Sequence, residues 1–453
     1  MNRIASRSLI VWILILALLG GTVFFVVEYV SNAGSWFLFP GSPHVYSGNK
    51  VGTGTVTDGD GLLLLQMEGG RKYSPDAAIR KATLHWVGDR LGNIQVPALG
   101  YYADHLVGYD MLNGAYSYGN TGGTMKLTIS SKVQTAALEA MGSRVGTVAV
   151  YNYRTGEILC ALTTPTYDPD NVPDIAGDET GAYQGVYVNR FLKSVYVPGS
   201  IFKIATTAAA LETVPDILGK TFVCNGSYET GDGDVTCESV HGTQNLKEAF
   251  CNSCNCAFAQ VTALVGKEQM TAYIQRFGLT GKLSFDGNTT GAGNYDVMDA
   301  SREEFAWSGI GQHTNQINPC TFMTFVGAIA GEGTAAKPYV VSEISDTYRA
   351  KTQQTDAMVS QETARILREF MQNNVDTKYG AQNFPGLTVC AKSGTGEVGG
   401  GKKPNAVFTG FVADAQYPLA FIVVVEDGGY GASVCVPILS KVLDACKIAM
   451  DGR

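Results

Sequence analysis

The chain has 453 residues, 45% of them hydrophobic and 16% charged, with a net charge of −8. These are the proportions of folded globular domains, and they exclude an intrinsically disordered chain. A pI near 5.3 offers no basic face to a nucleic acid, and the length allows roughly two to four domains.

The N-terminus stands apart. Residues 9–27, "LIVWILILALLGGTVFFVV", carry no charge. As a helix this run is about 28 Å long, close to the roughly 30 Å hydrocarbon core of a bilayer. Arg3 and Arg7 precede it and Glu28 follows. The positive-inside rule therefore leaves residues 1–8 as a cytoplasmic tail and the bulk of the chain outside the cell membrane. The tripeptide at 31–33, Ser-Asn-Ala, resembles a signal-peptidase site, but the apolar run is longer than a signal-peptide core. The expectation is an uncleaved single-pass anchor over 9–30.

Residues 31–126, rich in Gly, Tyr, Ser and Asp, read as a small irregular pedestal domain. Within it, "SPDAAIRKATLHWVGDRLG" has helical length, with Asp76 and Arg80 spaced to pair. "MKLTISSKVQTAALEAMGS" gives a short strand, a serine cap and an amphipathic helix. "RVGTVAVYNYRTGEILCALTT" gives two apolar strands around a turn. Near the C-terminus come "GLTVCAKSGT", "NAVFTGFVAD" and "PLAFIVVVED", then a helix from about 437 to 450. Strands at both ends with helices between them predict an α+β domain over 127–453, an antiparallel sheet packed with a helical cluster.

Chemistry enters at "VPGSIFKIATTAAALE". Pro198 and Gly199 mark a turn, so a buried, alanine-rich helix is expected to begin at Ser200. Ser200 and Lys203, three apart, share a face. The pair reads either as an N-capping serine with a snorkelling lysine, or as a nucleophile with a desolvated lysine base. Two later stretches favour the second reading. "CNSCNCAF" places Ser253 and Asn255 between helical pieces, and "VCAKSGTGE" ends a strand on Lys392, Ser393, Gly394 and Thr395. Ser-x-x-Lys, Ser-x-Asn and Lys-Ser-Gly, in that order, form the motif set of serine acyl-transferases that react with penicillin.

From about residue 127 onward the sequence resembles the class B penicillin-binding proteins, membrane-anchored peptidoglycan transpeptidases. The likeness runs through "TGEILCALTTPTYDPDN", the Ser200 segment, "HGTQNLKEAF", "SCNCAF", "SGIGQ" and "AKSGTGE". It extends faintly to "GTVTDGDGLLL", and the short region before 127 points to the compact, short-pedestal subgroup. The resemblance implies a five-stranded antiparallel sheet and a D,D-transpeptidase forming an acyl-enzyme on Ser200. Lys203 is then the base, Ser253 a proton relay and Lys392 the residue that fixes the local field. Asn255 would hold the substrate's peptide group, and the hydroxyls of Ser393 and Thr395 would grip a terminal carboxylate across Gly394. The implied partners are stem peptides ending in D-Ala-D-Ala, β-lactam antibiotics and a membrane glycosyltransferase, with no cofactor. A β-lactamase or a penicillin-sensing receptor of the same fold is the alternative. Against the lactamase stands the lack of a Glu-x-x-Leu-Asn segment, and against the receptor the short tail before the anchor.

Ten cysteines remain. Those in apolar patterns, such as Cys390 and Cys446, read as small hydrophobes. Cys224 and Cys237 flank a polar turn and are the pair expected to be bridged. The cysteines of "CNSCNC" with His241 lack the paired knuckles of structural zinc sites, so packing thiols and no metal are expected. "GTGEVG" follows a strand but leads into "GGKKPNAVF", not the helix a dinucleotide site needs. His44, His85, His105, His241 and His313 form no triad or metal spacing and read as structural or exposed.

Overall fold

The computed structural model describes residues 2–37, 42, 46–47, 50–107 and 122–452. His44 and positions 108–121 of the expected pedestal lie outside the described residues. Helix α1 (Asn2–Phe37) contains a span, Arg7–Ala33, with mean hydropathy 2.8 and none of its most apolar window buried against protein. It is long and apolar enough to cross a membrane, and the Ser-Asn-Ala tripeptide lies inside the helix.

Short strands follow: β1 (Thr55–Thr57), β2 (Leu63–Gln66) and β3 (Lys72–Tyr73). The acid of the "TDGDG" turn, Asp58, accepts from Leu62 N at 2.8 Å and from Ser131 N at 3.0 Å. Helix α2 (Ala77–Val87) is capped by Asp76, which accepts from Ala78 N. The expected Asp76 to Arg80 ion pair is not the main contact of Arg80. Its guanidinium forks onto both Asp168 oxygens at 2.6 Å, because a bidentate carboxylate is a better partner than an acid occupied as a cap.

Strand β4 (Thr124–Leu127) leads into α3 (Ser131–Met141). The expected serine cap makes no side-chain bond there; Asp58 takes the free N–H from across the chain. Next come β5 (Gly146–Asn152) and β6 (Ile158–Thr164). The middle of the chain holds α4 (Lys203–Thr213), β7 (Thr221–Cys224), β8 (Asp234–Thr236) and β9 (Gly242–Asn245). Helices α5 (Leu246–Cys251), α6 (Asn255–Val265), α7 (Arg302–Gly309) and α8 (Pro319–Ala330) follow. Strands β10 (Val341–Ile344) and β11 (Tyr348–Arg349) return to the early sheet, which runs β11-β10-β4-β1-β2-β3. After α9 (Gln361–Asn374) come β12 (Val389–Gly396), β13 (Asn405–Val412), β14 (Leu419–Val425) and α10 (Gly431–Asp451). Helix α10 starts before the expected 437, and Pro437 lies within it. Burial of the helix outweighs the hydrogen bond that proline cannot donate.

The second sheet has five antiparallel strands in the order β12-β13-β14-β5-β6. Alternate residues serve two cores. Ala149 and Tyr151 belong to the core that also holds Phe202, Ile204 and Phe258; Val148 and Val150 belong to the core that holds Val133 of α3 and Leu439 of α10. Burial on both faces explains why these strands read as continuous apolar runs. Strand β12 is an edge, and the site is assembled against it.

Candidate active site

Ser200 lies not in α4 but in the 3-10 turn Gly199–Phe202 that precedes it, and it makes no capping bond. The turn rests directly on β12. Gly199 has φ of +55°, and a Cβ there would stand 2.2 Å from Thr395 O. A Cβ on Gly394 would stand 2.5 Å from Pro198 O. Both contacts are closer than any side chain allows, so glycine on each side sets the spacing between nucleophile and strand.

Ser253 sits between α5 and α6 with φ of +53°. For a residue bearing a Cβ, this left-handed conformation costs roughly 1–2 kcal/mol. A capping box between Asn245 and Glu248 fixes the start of α5, and the Cys254 sulfur caps α6. The strained serine is therefore held from both sides.

These elements form a line of alternating oxygen and nitrogen. Ser200 Oγ lies 3.0 Å from Lys203 Nζ, which lies 3.2 Å from Ser253 Oγ, which lies 3.0 Å from Lys392 Nζ. Both lysines are fully buried. Burial lowers Lys203 to about 8, and burial together with the charge of Lys203 pushes Lys392 well below the usual lysine range. Lys203 also meets Ser253 O at 2.6 Å and Asn255 Oδ1 at 2.8 Å. Two hydrogens of a neutral amine satisfy those acceptors, leaving its lone pair for a hydroxyl proton.

Asn255 is already engaged, since its Nδ2 donates to Thr236 O of β8 at 3.0 Å. One amide hydrogen remains for a ligand. Ser393 and Thr395 share the partly open face of β12, as strand alternation requires. The hydroxyl of Ser393 is 3.0 Å from that of Tyr379, which also accepts from Ser393 N. Ser200, Ser253, Asn255, Ser393, Gly394 and Thr395 line a cleft of about 590 Å³; Lys203 and Lys392 lie behind its wall.

Sequence reasoning did not name Tyr379, which ends the π-helical turn Val375–Tyr379. Nor did it single out Gln312, which donates to Thr395 O, although "SGIGQ" contains it. Trp307 and Tyr430 also line the cleft.

The cysteines depart most from expectation. All ten are free, including Cys224 and Cys237. Instead of bridging, these two converge with Cys254 and His241, the donor atoms all lying within 4.8 Å of one another. His241 Nδ1 is 3.5 Å from the sulfurs of both Cys224 and Cys237, and the sulfurs of Cys237 and Cys254 are 3.9 Å apart. The expected Cys224–Cys237 bridge is thereby corrected, and Cys254 and His241, expected to be unrelated to that pair, lie beside it. Strand β7, the loop after β8 and the Ser253 loop bring together donors that are scattered along the sequence.

A family model described as the penicillin binding protein transpeptidase domain matches residues 146–444. The chain is 31% identical to the peptidoglycan D,D-transpeptidase PbpA of Mycolicibacterium smegmatis over 70% of its own length and 71% of that protein's. It is also 31% identical to stage V sporulation protein D of Bacillus subtilis, over 70% of this chain but only 52% of that longer protein. Among solved structures, the ceftriaxone acyl-enzyme of penicillin-binding protein A from M. tuberculosis superposes with a TM-score of 0.74. That match covers 87% of this chain and 98% of the other at 23% identity, a likeness of fold. Motif order, site geometry and these matches agree: the chain belongs to the class B penicillin-binding proteins, the peptidoglycan D,D-transpeptidase family.

Proposed function

We propose that Ser200 attacks the carbonyl between the two D-alanines of a stem peptide and is the residue that β-lactams acylate. The observation that carries this reading is the buried Lys203 amine, 3.0 Å from Ser200 Oγ, with its other hydrogens committed to carbonyl oxygens. Lys203 accepts the hydroxyl proton as Ser200 Oγ bonds to the carbonyl carbon. The oxyanion meets the N–H of Ser200 in the 3-10 turn and that of Thr395 on β12. Ser393 N and Thr395 O both face away from β13, toward Tyr379 and Gln312. The two-residue period aims the Thr395 N–H the same way.

Collapse of the tetrahedral adduct breaks the C–N bond, and the leaving D-alanine amine needs a proton. Ser253 Oγ, between the two lysines, supplies it and is replenished from Lys203, with Lys392 holding the hydroxyl in place. Reversed, the same line takes a proton from the acceptor amine that resolves the acyl-enzyme into a cross-link. Ser393 and Thr395 bind the substrate carboxylate, and Asn255 binds the peptide group with its free hydrogen.

Around this centre the chain is read as a tail (1–8), an anchor (9–30), a pedestal (31–126) and a transpeptidase domain (127–453). The tail faces the cytoplasm, the catalytic domain faces the wall, and a membrane glycosyltransferase supplies the glycan strands. Arginines before the apolar helix support the orientation. The decisive experiment is Ser200→Ala in the full chain. Fluorescent penicillin should label wild type covalently and the variant not at all; undiminished labelling would overturn the assignment.

A further inference from the structure

We propose that Cys224, Cys237, His241 and Cys254 form a structural zinc site that clamps the Ser253 loop to the wall of the active-site cleft. Among the described residues this is the one set of His, Cys, Asp or Glu donors that converges on a common centre. The inference goes beyond the proposed reaction, which needs no metal.

Geometry distinguishes an ion site from chance packing. In a tetrahedral site, zinc–sulfur bonds of about 2.3 Å and zinc–nitrogen bonds of about 2.0–2.1 Å put neighbouring sulfurs about 3.8 Å apart and sulfur and nitrogen about 3.5 Å apart. The sulfurs of Cys237 and Cys254 are separated by 3.9 Å, and His241 Nδ1 lies 3.5 Å from the sulfurs of Cys224 and Cys237. Three of the donor separations therefore already match a tetrahedron of ligands with zinc at its centre, and the remaining ones lie within 4.8 Å. Three thiolates and an imidazole form a soft donor set that selects zinc over magnesium or calcium. No corner remains for water, so the site is closed and structural.

Surroundings support the same assignment. Cys224 and Cys254 are fully buried, whereas Cys237 and His241 reach the cleft surface, so an ion has a route in. Cys320 and Cys390, by contrast, lie in the core as small hydrophobes with no other cysteine beside them. Segment 225–241 contains two short strands and polar turns, and buries few apolar side chains of its own. A zinc ion joining its two ends to Cys254 supplies the fixing that an apolar core does not. Cys254 lies between Ser253 and Asn255, so it positions both without touching substrate.

The full chain, purified in detergent with zinc and then freed of loose metal, should retain about one zinc per chain by elemental analysis. Cobalt replacement should give the thiolate charge-transfer absorption of a tetrahedral sulfur-rich site. Cys237→Ala and His241→Ala should each lower bound metal to below about a tenth of an equivalent, while Cys251→Ser, outside the cluster, retains it. If both of the alanine variants fail to fold, mercurial titration of wild-type thiols should release the zinc to a chromogenic chelator. Stripping the metal should lower the melting temperature and slow penicillin acylation.

A chain that retains no zinc after purification with it, yet labels at Ser200, would sink the zinc site and leave the transpeptidase reading intact. So would a disulfide among Cys224, Cys237 and Cys254 in protein prepared without oxidant. A zinc-loaded chain that never labels would sink the reaction and leave the site standing.

Discussion

The two sheets of this molecule are built differently. The five-stranded sheet has strands of seven or eight residues, buried on both faces and wholly antiparallel. The six-stranded sheet has strands of two to four residues and mixes one parallel pair into an antiparallel order. The long sheet holds reacting groups at its edge to within a hydrogen bond. The short one is tied together by side chains, and Asp286 shows how. Its carboxylate accepts from Tyr102 OH at 2.8 Å and from the backbone N–H groups of Val340 and Val341 at 2.6 and 3.0 Å. The contrast separates two jobs: precise placement in one region and attachment in the other.

If that division is right, variants in the two regions should fail in different ways. The largest effect is expected for Lys203→Arg. A guanidinium keeps its proton, so removing the base should slow acylation about 100- to 10,000-fold in the protein that remains folded. A near-normal rate would show that the lysine only fills space.

Gly394→Ala comes next. Its new Cβ would meet Pro198 O at 2.5 Å and push the 3-10 turn away from β12. A displacement approaching 1 Å should cost up to about 100-fold in acylation. Unchanged kinetics would mean that the turn and the strand are not the matched pair described here.

A smaller, graded effect should follow pH. Burial lowers Lys203 to about 8, and the neutral amine is the active form. Acylation should therefore rise roughly tenfold per pH unit below 8 and level off above it. A flat profile between pH 6 and 8, measured with a β-lactam stable over that range, would remove Lys203 as the base.

Smallest of all in its effect on chemistry should be Asp286→Ala. Loss of three hydrogen bonds around a buried group should cost about 2–5 kcal/mol of stability in denaturant unfolding. The protein that remains folded should acylate at the wild-type rate. A rate loss comparable to that of Gly394→Ala would erase the distinction between the two sheets.

Much of the long sheet was legible because its strands are continuous apolar runs bounded by turns. The three motifs were legible because their chemistry requires particular residues at short spacing. What could not be read depends on contacts far apart in sequence. Tyr379 reaches Ser393 from a π-helical turn, and nothing in its neighbours announces that. The Asp76 and Arg80 spacing suggested a helix pair, yet Asp168, 88 residues away, was the stronger partner. Cys224, Cys237, His241 and Cys254 show neither paired knuckles nor one shared spacing. Their convergence belongs to the fold of 221–255, where a local reading suggested a bridge between the two cysteines flanking a turn.

The open edge of β12 has a further consequence. A strand with unpaired backbone groups is a template on which any extended chain can polymerise, and proteins commonly defend such edges. Here Val197 closes on Gly396, Pro198 and Ile201 close on Gly394, and Tyr379 covers the backbone at Ser393. The exposed template is only a few residues long. That is enough to seat the end of one short extended peptide and too little to nucleate pairing with another folded sheet. The covering that shortens this edge thus also protects the protein from aggregating through the strand that serves its chemistry.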